Sequence, residues 1–353
     1  MTRQLVGFPL MERTCTCICI LFILALSVLF SGCVGNLIYG DGIGAPYIVP
    51  ITNAMPPPQP EYTFLFQDRT VTLTMPVNGS VYAGAKAADK DVTIYGNVSE
   101  QDWVSKSYRA MMDDSAQDEF YATLLGKLRK IRADMMLDDD EYLELITVFV
   151  QSIPYETSGE NPPKFPVEIF VDRSGDCDDK GLLLAGLLSR EGYKAALLSF
   201  KDESHLAVGI VCPGTDYKKT GYAYVETTNV TFVGIPPDGL AGGIVIHSDP
   251  LVVPVGSGMK NYSACGQTKY LHDTFLSTGD RFSSLSKEAE QKKAELQALA
   301  ATNNVNAYNQ RVAYYNSLVI KLKQNAEVYN YILNHQYDRK GTYAWVLQHS
   351  GDL

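Results

Sequence analysis

Ser174-Gly175-Asp176-Cys177-Asp178-Asp179-Lys180-Gly181-Leu182-Leu183-Leu184-Ala185-Gly186-Leu187-Leu188 is the stretch on which the reading of this chain turns. A turn pair precedes Asp176, and an apolar run follows at once. An aspartate accepts hydrogen bonds from the free N–H groups of a helix start, so a helix begins here with Asp176 as its cap. Cys177 then stands in the first turn, where the aligned peptide dipoles favour negative charge and lower a thiol's pKa. Asp176, Asp178 and Asp179 oppose this, because nearby carboxylates raise a thiol's pKa. They read as capping and solvated acids rather than as a calcium site.

Downstream, Gly192 is a natural residue to end the helix. Three strand-like segments follow, Tyr193–Phe200, His205–Cys212 and Tyr222–Thr227. A helix and then three strands imply an antiparallel sheet with the helix on one face. A cysteine nucleophile needs a base for its proton and a group to orient that base. His205 opens the second strand and Glu226 closes the third. Neighbouring strands lie about 4.8 Å apart, so the two residues can be adjacent, with Cys177 reaching His205 from the helix. An oxyanion would be met by the Cys177 N–H and a second donor, for which Gln151 and Tyr155 are the candidates. No cofactor and no metal is implied.

The same residues resemble a family. Gly175-Asp176-Cys177-Asp178-Asp179 with Leu183-Leu184-Ala185-Gly186-Leu187-Leu188-Ser189-Arg190-Glu191-Gly192-Tyr193, then His205-Leu206-Ala207-Val208, then Tyr224-Val225-Glu226-Thr227-Thr228, are similar to the three motifs of the transglutaminase-like superfamily. The resemblance covers about residues 140–240. It implies an α+β fold with a papain-like core, the cysteine helix packed on an antiparallel sheet. It also implies Cys177 as nucleophile, His205 as base and Glu226 as the orienting acid, where the family more often has Asp. Peptidase, amidase or acyl-transfer chemistry on a peptide or protein of the cell envelope would follow. The alternatives are a non-catalytic adhesion or assembly module of the same fold and another Cys–His hydrolase of papain-like type.

Upstream, residues 1–33 read as an address. Ile18–Phe30 is an apolar run after Arg3 and Arg13, of signal-peptide rather than membrane-spanning length. It ends in Phe30-Ser31-Gly32-Cys33, which resembles a lipobox with Cys33 as the lipidated residue. The alternative is an uncleaved anchor helix. Either way the body is exported and anchored to the outer face of the cell membrane. Cys15, Cys17 and Cys19 lie inside this segment and read as incidental. Residues 34–61, rich in Gly and Pro, read as a tether.

Residues 62–280 read as the main domain. Tyr62–Phe66, Thr70–Thr74 and Asp91–Tyr95 carry strand residues, and Asn78-Gly79 reads as a hairpin turn. Residues 100–152 are helical by period, with Asp138–Glu141 acidifying a helix start. Residues 232–275 read as irregular. Beyond Cys177 only Cys212 and Cys265 remain. They either pair or stand as separate thiols, and the second reading is preferred.

Residues 281–353 read as a C-terminal helical hairpin. Val305, Tyr308, Val312, Tyr315, Val319, Leu322, Ala326, Tyr329 and Leu333 recur alternately three and four apart, a heptad seam. Leu285, Ala289, Lys292, Leu296 and Leu299 form a shorter one, and the register breaks at Thr302-Asn303-Asn304. Self-association through these helices is an expectation, an intramolecular hairpin the alternative. The chain's net charge of −10 over 353 residues argues against nucleic acid as a partner. Asn-X-Ser/Thr sequons stand at Asn78, Asn97, Asn229 and Asn261.

Overall fold

The computed structural model describes residues 42–157, 159, 162–240, 243–301 and 305–351. The targeting segment with Cys33, and the register break at 302–304, lie outside the described residues. Among those described, no helix is long and apolar enough to cross a membrane.

The architecture is mixed α+β, with antiparallel sheets and a C-terminal helical region. Short strands β1 (Gly42–Gly44) and β4 (Thr93–Tyr95) pair with each other. β2 (Glu61–Phe66) and β3 (Arg69–Thr74), both expected as strands, pair as a hairpin with Tyr62, Phe64 and Phe66 turned inward. Helices α1 (Gly79–Ala87), α2 (Glu100–Met112), α3 (Asp118–Met135) and α4 (Asp139–Gln151) follow. Asp138 and Glu141 form a capping box on α4, where acid was expected. α5 (Pro166–Asp172) leads into α6 (Cys177–Arg190).

The main sheet has the order β7 (Ala223–Val225), β6 (His205–Ile210), β5 (Ala195–Phe200), β8 (Leu251–Val255), all antiparallel. α6 packs on β6 and β5 and touches α2, α4 and α5. It is therefore covered all round, and Leu182, Leu183, Leu184, Leu187 and Leu188 are fully buried. Each such leucine contributes about 2 kcal/mol of burial. Gly186 is where Tyr121 passes; a Cβ there would stand 2.2 Å from its hydroxyl. Alternation divides the sheet. Leu206, Val208 and Val225 join the core shared with α6, while Ala207, Phe200 and Tyr224 form a second cluster on the other face.

Several expectations change. Residues 42–61 do not hang free as a tether: Ile48 is buried and the Ile51 N–H bonds to Ser80 O. Prolines and glycines bar helix and central strand, but they do not bar an extended chain from lying on the body. Asn78 turns no hairpin; its side chain accepts from the Ser80 N–H and caps α1. β8 emerges from the stretch read as irregular, because β5 offers a free edge for it. The boundary at 280/281 falls inside α7 (Cys265–Ala300), which forms an antiparallel hairpin with α8 (Val305–Asn334). On α8 the buried positions are Leu318, Asn325, Val328 and Ile332, one residue off the heptad positions 319, 326 and 333. Val305 and Leu333 of the expected seam are exposed. The base of the hairpin sits on Phe232 and on Val346 of α9 (Arg339–His349), and that docking sets the face of α8. Cys212 and Cys265 form a disulfide joining the end of β6 to the start of α7.

Candidate active site

Asp176 accepts from the Asp178 and Asp179 N–H groups, and the Asp179 side chain returns a bond to the Asp176 N–H, a full capping box. This spends the second and third N–H groups of α6. The first, on Cys177, has no hydrogen bond among the described residues. Gly175 leaves room for this capping box, since a Cβ there would press on Asp179 and Ile169.

The Cys177 thiol is buried and free. It donates to Asp178 Oδ1 at 3.6 Å and lies 4.0 Å from Ser204 O. Burial, and then the charge of Asp178, push its pKa up to about 12, against which the Leu206 N–H works. Burial, then Asp176 and Asp179, push Asp178 itself up to about 7. Tyr108 of α2 works against that shift.

His205 is buried at the start of β6, in register with Phe200 and stacked near it. Its Nε2 lies 2.9 Å from the Tyr224 hydroxyl, which donates to Glu226 Oε2 at 3.1 Å. Glu226 Oε1 accepts from the Thr227 N–H, the Thr228 N–H and the Thr228 hydroxyl at 2.9, 2.7 and 2.6 Å. Burial lowers the His205 pKa, and Glu226 and Glu203 work against that.

The three expected residues are thus brought to one region, but not in the expected line of contacts. Glu226 does not touch His205 directly; Tyr224 stands between them. No hydrogen bond joins Cys177 to His205. Alternation supplies the reason, since His205 shares its face with Ala207 and Leu206 is the residue that meets α6. Cys177 and His205 nevertheless both open onto one cleft of about 720 Å³. Its walls include Trp103, Val104, Tyr108 and Met111 from α2, together with Phe200 and Leu251.

Of the two proposed oxyanion donors, one is committed elsewhere. Gln151 is buried, its amide N–H groups held by Glu226 O and Thr231 O, so it braces the Glu226 loop instead. Tyr155 is 41% exposed and pairs by its backbone with Gly175.

The sequence reading missed Lys180, which is wholly buried beneath the site. Its ammonium donates to Gln151 O, Ile153 O and Thr228 O at 3.1, 2.6 and 3.3 Å. Burial presses its pKa down to about 8, with Glu226 opposing. Three carbonyls match the three protons of an ammonium, so the charge is kept at neutral pH. It ties α6 to the end of α4 and to the Glu226 loop. A lysine three residues into an otherwise apolar helix was the available signal.

No family model, no curated protein and no solved structure matches this chain.

Proposed function

We propose that this protein is an exported cysteine enzyme of transglutaminase-like fold that works through a thioester at Cys177. One observation carries the reading: Cys177, at the first position of α6, and His205 line a single cleft. A substrate amide carbonyl placed there meets the nucleophile and an oxyanion donor together. The sulfur–carbon bond forms as the thiol proton passes to His205, and the carbon–nitrogen bond breaks as that proton passes to the leaving amine. Water then cleaves the thioester, restoring the thiol and releasing a carboxylic acid. The substrate class is a peptide or protein amide of the cell envelope. A hydrogen bond absent in the resting site is compatible with this, because catalytic contacts often tighten only with substrate bound. The disulfide supports an oxidising compartment, as does the targeting-like segment at residues 1–33.

A second reading, a non-catalytic module of the same fold, is favoured by a different observation. The thiol's proton is held by Asp178 and not by His205, and the thiol pKa stands near 12. An electrophilic peptide-amide probe separates the two. The enzyme reading expects labelling at Cys177, lost in Cys177→Ala and reduced at least a hundredfold in His205→Ala. Folded protein that takes up no probe at Cys177 establishes the module.

A further inference from the structure

The bonds around Tyr224 determine where the His205 proton sits. Three donors converge on Glu226 Oε1, the arrangement of an ionised carboxylate, which can only accept. The bond at Oε2 must therefore use the Tyr224 proton. A phenol has one proton, so toward His205 the Tyr224 oxygen is the acceptor, and Nε2 of the ring is the donor at 2.9 Å. A neutral imidazole has one N–H. Nδ1 is thereby left as a bare lone pair, and it has no hydrogen-bond partner among the described residues.

The register explains why a tyrosine is needed. Tyr224 pairs with Gly209, four residues along β6 from His205. That is about 13 Å of extended chain, a gap that only a long side chain can help span. Ala207, the residue between them on the same face, is small enough to leave the ring its path. Glu226 lies past the end of β7 with one oxygen turned back to Thr227 and Thr228, and it reaches the histidine only through the phenol.

We propose that Tyr224 is the positioning residue of the site, fixing His205 as the Nε2–H tautomer through a His205–Tyr224–Glu226 relay and presenting Nδ1 as the atom that takes the Cys177 proton. This rests on the reading of His205 as base, and the test keeps the two apart. Full-length protein labelled with ¹⁵N-histidine is observed by long-range ¹H–¹⁵N correlation, and His205 is assigned with His205→Gln. The proton is expected on Nε2 in the native protein. In Tyr224→Phe, which keeps the ring in its buried slot, that preference is lost while the other histidines keep their signals. Probe labelling at Cys177 falls at least tenfold in the same variant. A native proton on Nδ1 overturns the proposal, and so does a Tyr224→Phe protein that keeps either the Nε2–H tautomer or the native labelling rate. If the native protein takes up no probe, the thioester reading fails, and the tautomer alone then decides for or against the relay.

Discussion

At Cys177 the start of α6 contributes about 0.3–1 kcal/mol in favour of a thiolate, and burial with Asp178 outweighs it. Asp178 is therefore a brake on the thiol. Asp178→Asn keeps the shape and removes the charge. It is expected to lower the thiol pKa by about one unit and to raise the alkylation rate by iodoacetamide at pH 8 about tenfold. A rate equal to or below the native one shows that Asp178 is no brake. The same carboxyl links the fold to pH. Its folded pKa near 7 lies above the usual 3.8, so between about pH 4 and 7 the folded protein binds more protons than the unfolded chain. That part of the stability is complete at low pH and is lost as pH rises through 7. The unfolding free energy is expected to rise from pH 7.5 to 5, with Asp178 supplying about 2 kcal/mol of the rise, so the rise is smaller by that amount in Asp178→Asn. Cys177, His205 and Glu226 were legible as single residues because each sits at an element's end in a recognisable pattern. Tyr224 was not, since a tyrosine in a strand looks like any core aromatic until its hydroxyl's partners are known.

Helix α9 is held to α4 by one buried cluster. Arg339 bonds both oxygens of Glu144 and also Gln267, and the Tyr262 hydroxyl donates to Glu144. Burial drives the Glu144 pKa up to about 7 even against the arginine. A buried pair is weak evidence for net stability, but removing one partner leaves an uncompensated charge. Arg339→Met is expected to cost about 3–5 kcal/mol in urea unfolding, and adding Glu144→Leu to recover most of it. A single variant as stable as the native protein would remove this cluster as the clasp of α9. The residues lie 195 apart in sequence, and neither is marked by any local pattern. On α8 the period was legible and its facing was not. Asn325, buried with Oδ1 unpartnered among the described residues, occupies the stripe that docking selected, and Ala326 the stripe that the heptad spacing selected.

The Cys212–Cys265 bridge closes a 53-residue span that contains β7, the Glu226 loop and β8. It bounds the part of the chain carrying two of the site's side chains. By loop entropy it is expected to contribute about 4 kcal/mol. Reduction should lower the urea midpoint accordingly, and a Cys212→Ala/Cys265→Ala variant should show the same midpoint with and without reductant. A midpoint unmoved by complete reduction would falsify the bridge as a contributor. Two cysteines separated so widely in a chain of seven give no pairing information. The pairing follows from the Val211–Tyr262 backbone bond that brings the two segments together.

Local physics determined the cap and first turn of α6, the alternation of β2 and β3, the period of α3 and α4, and the helical character of the C-terminal region. Each needs only neighbours a few residues away. Tertiary structure decided the pairing of β8 with β5, the stripe by which α8 docks and the face of the sheet that receives His205. It also placed Lys180 under the site and Tyr224 between His205 and Glu226. These depend on which surfaces and polar groups distant elements leave unsatisfied, and the energy of covering them is not written in any local period. The Asp176–Leu188 stretch could therefore identify its helix and its nucleophile candidate, while the cleft that Cys177 shares with His205 was formed by the fold around it.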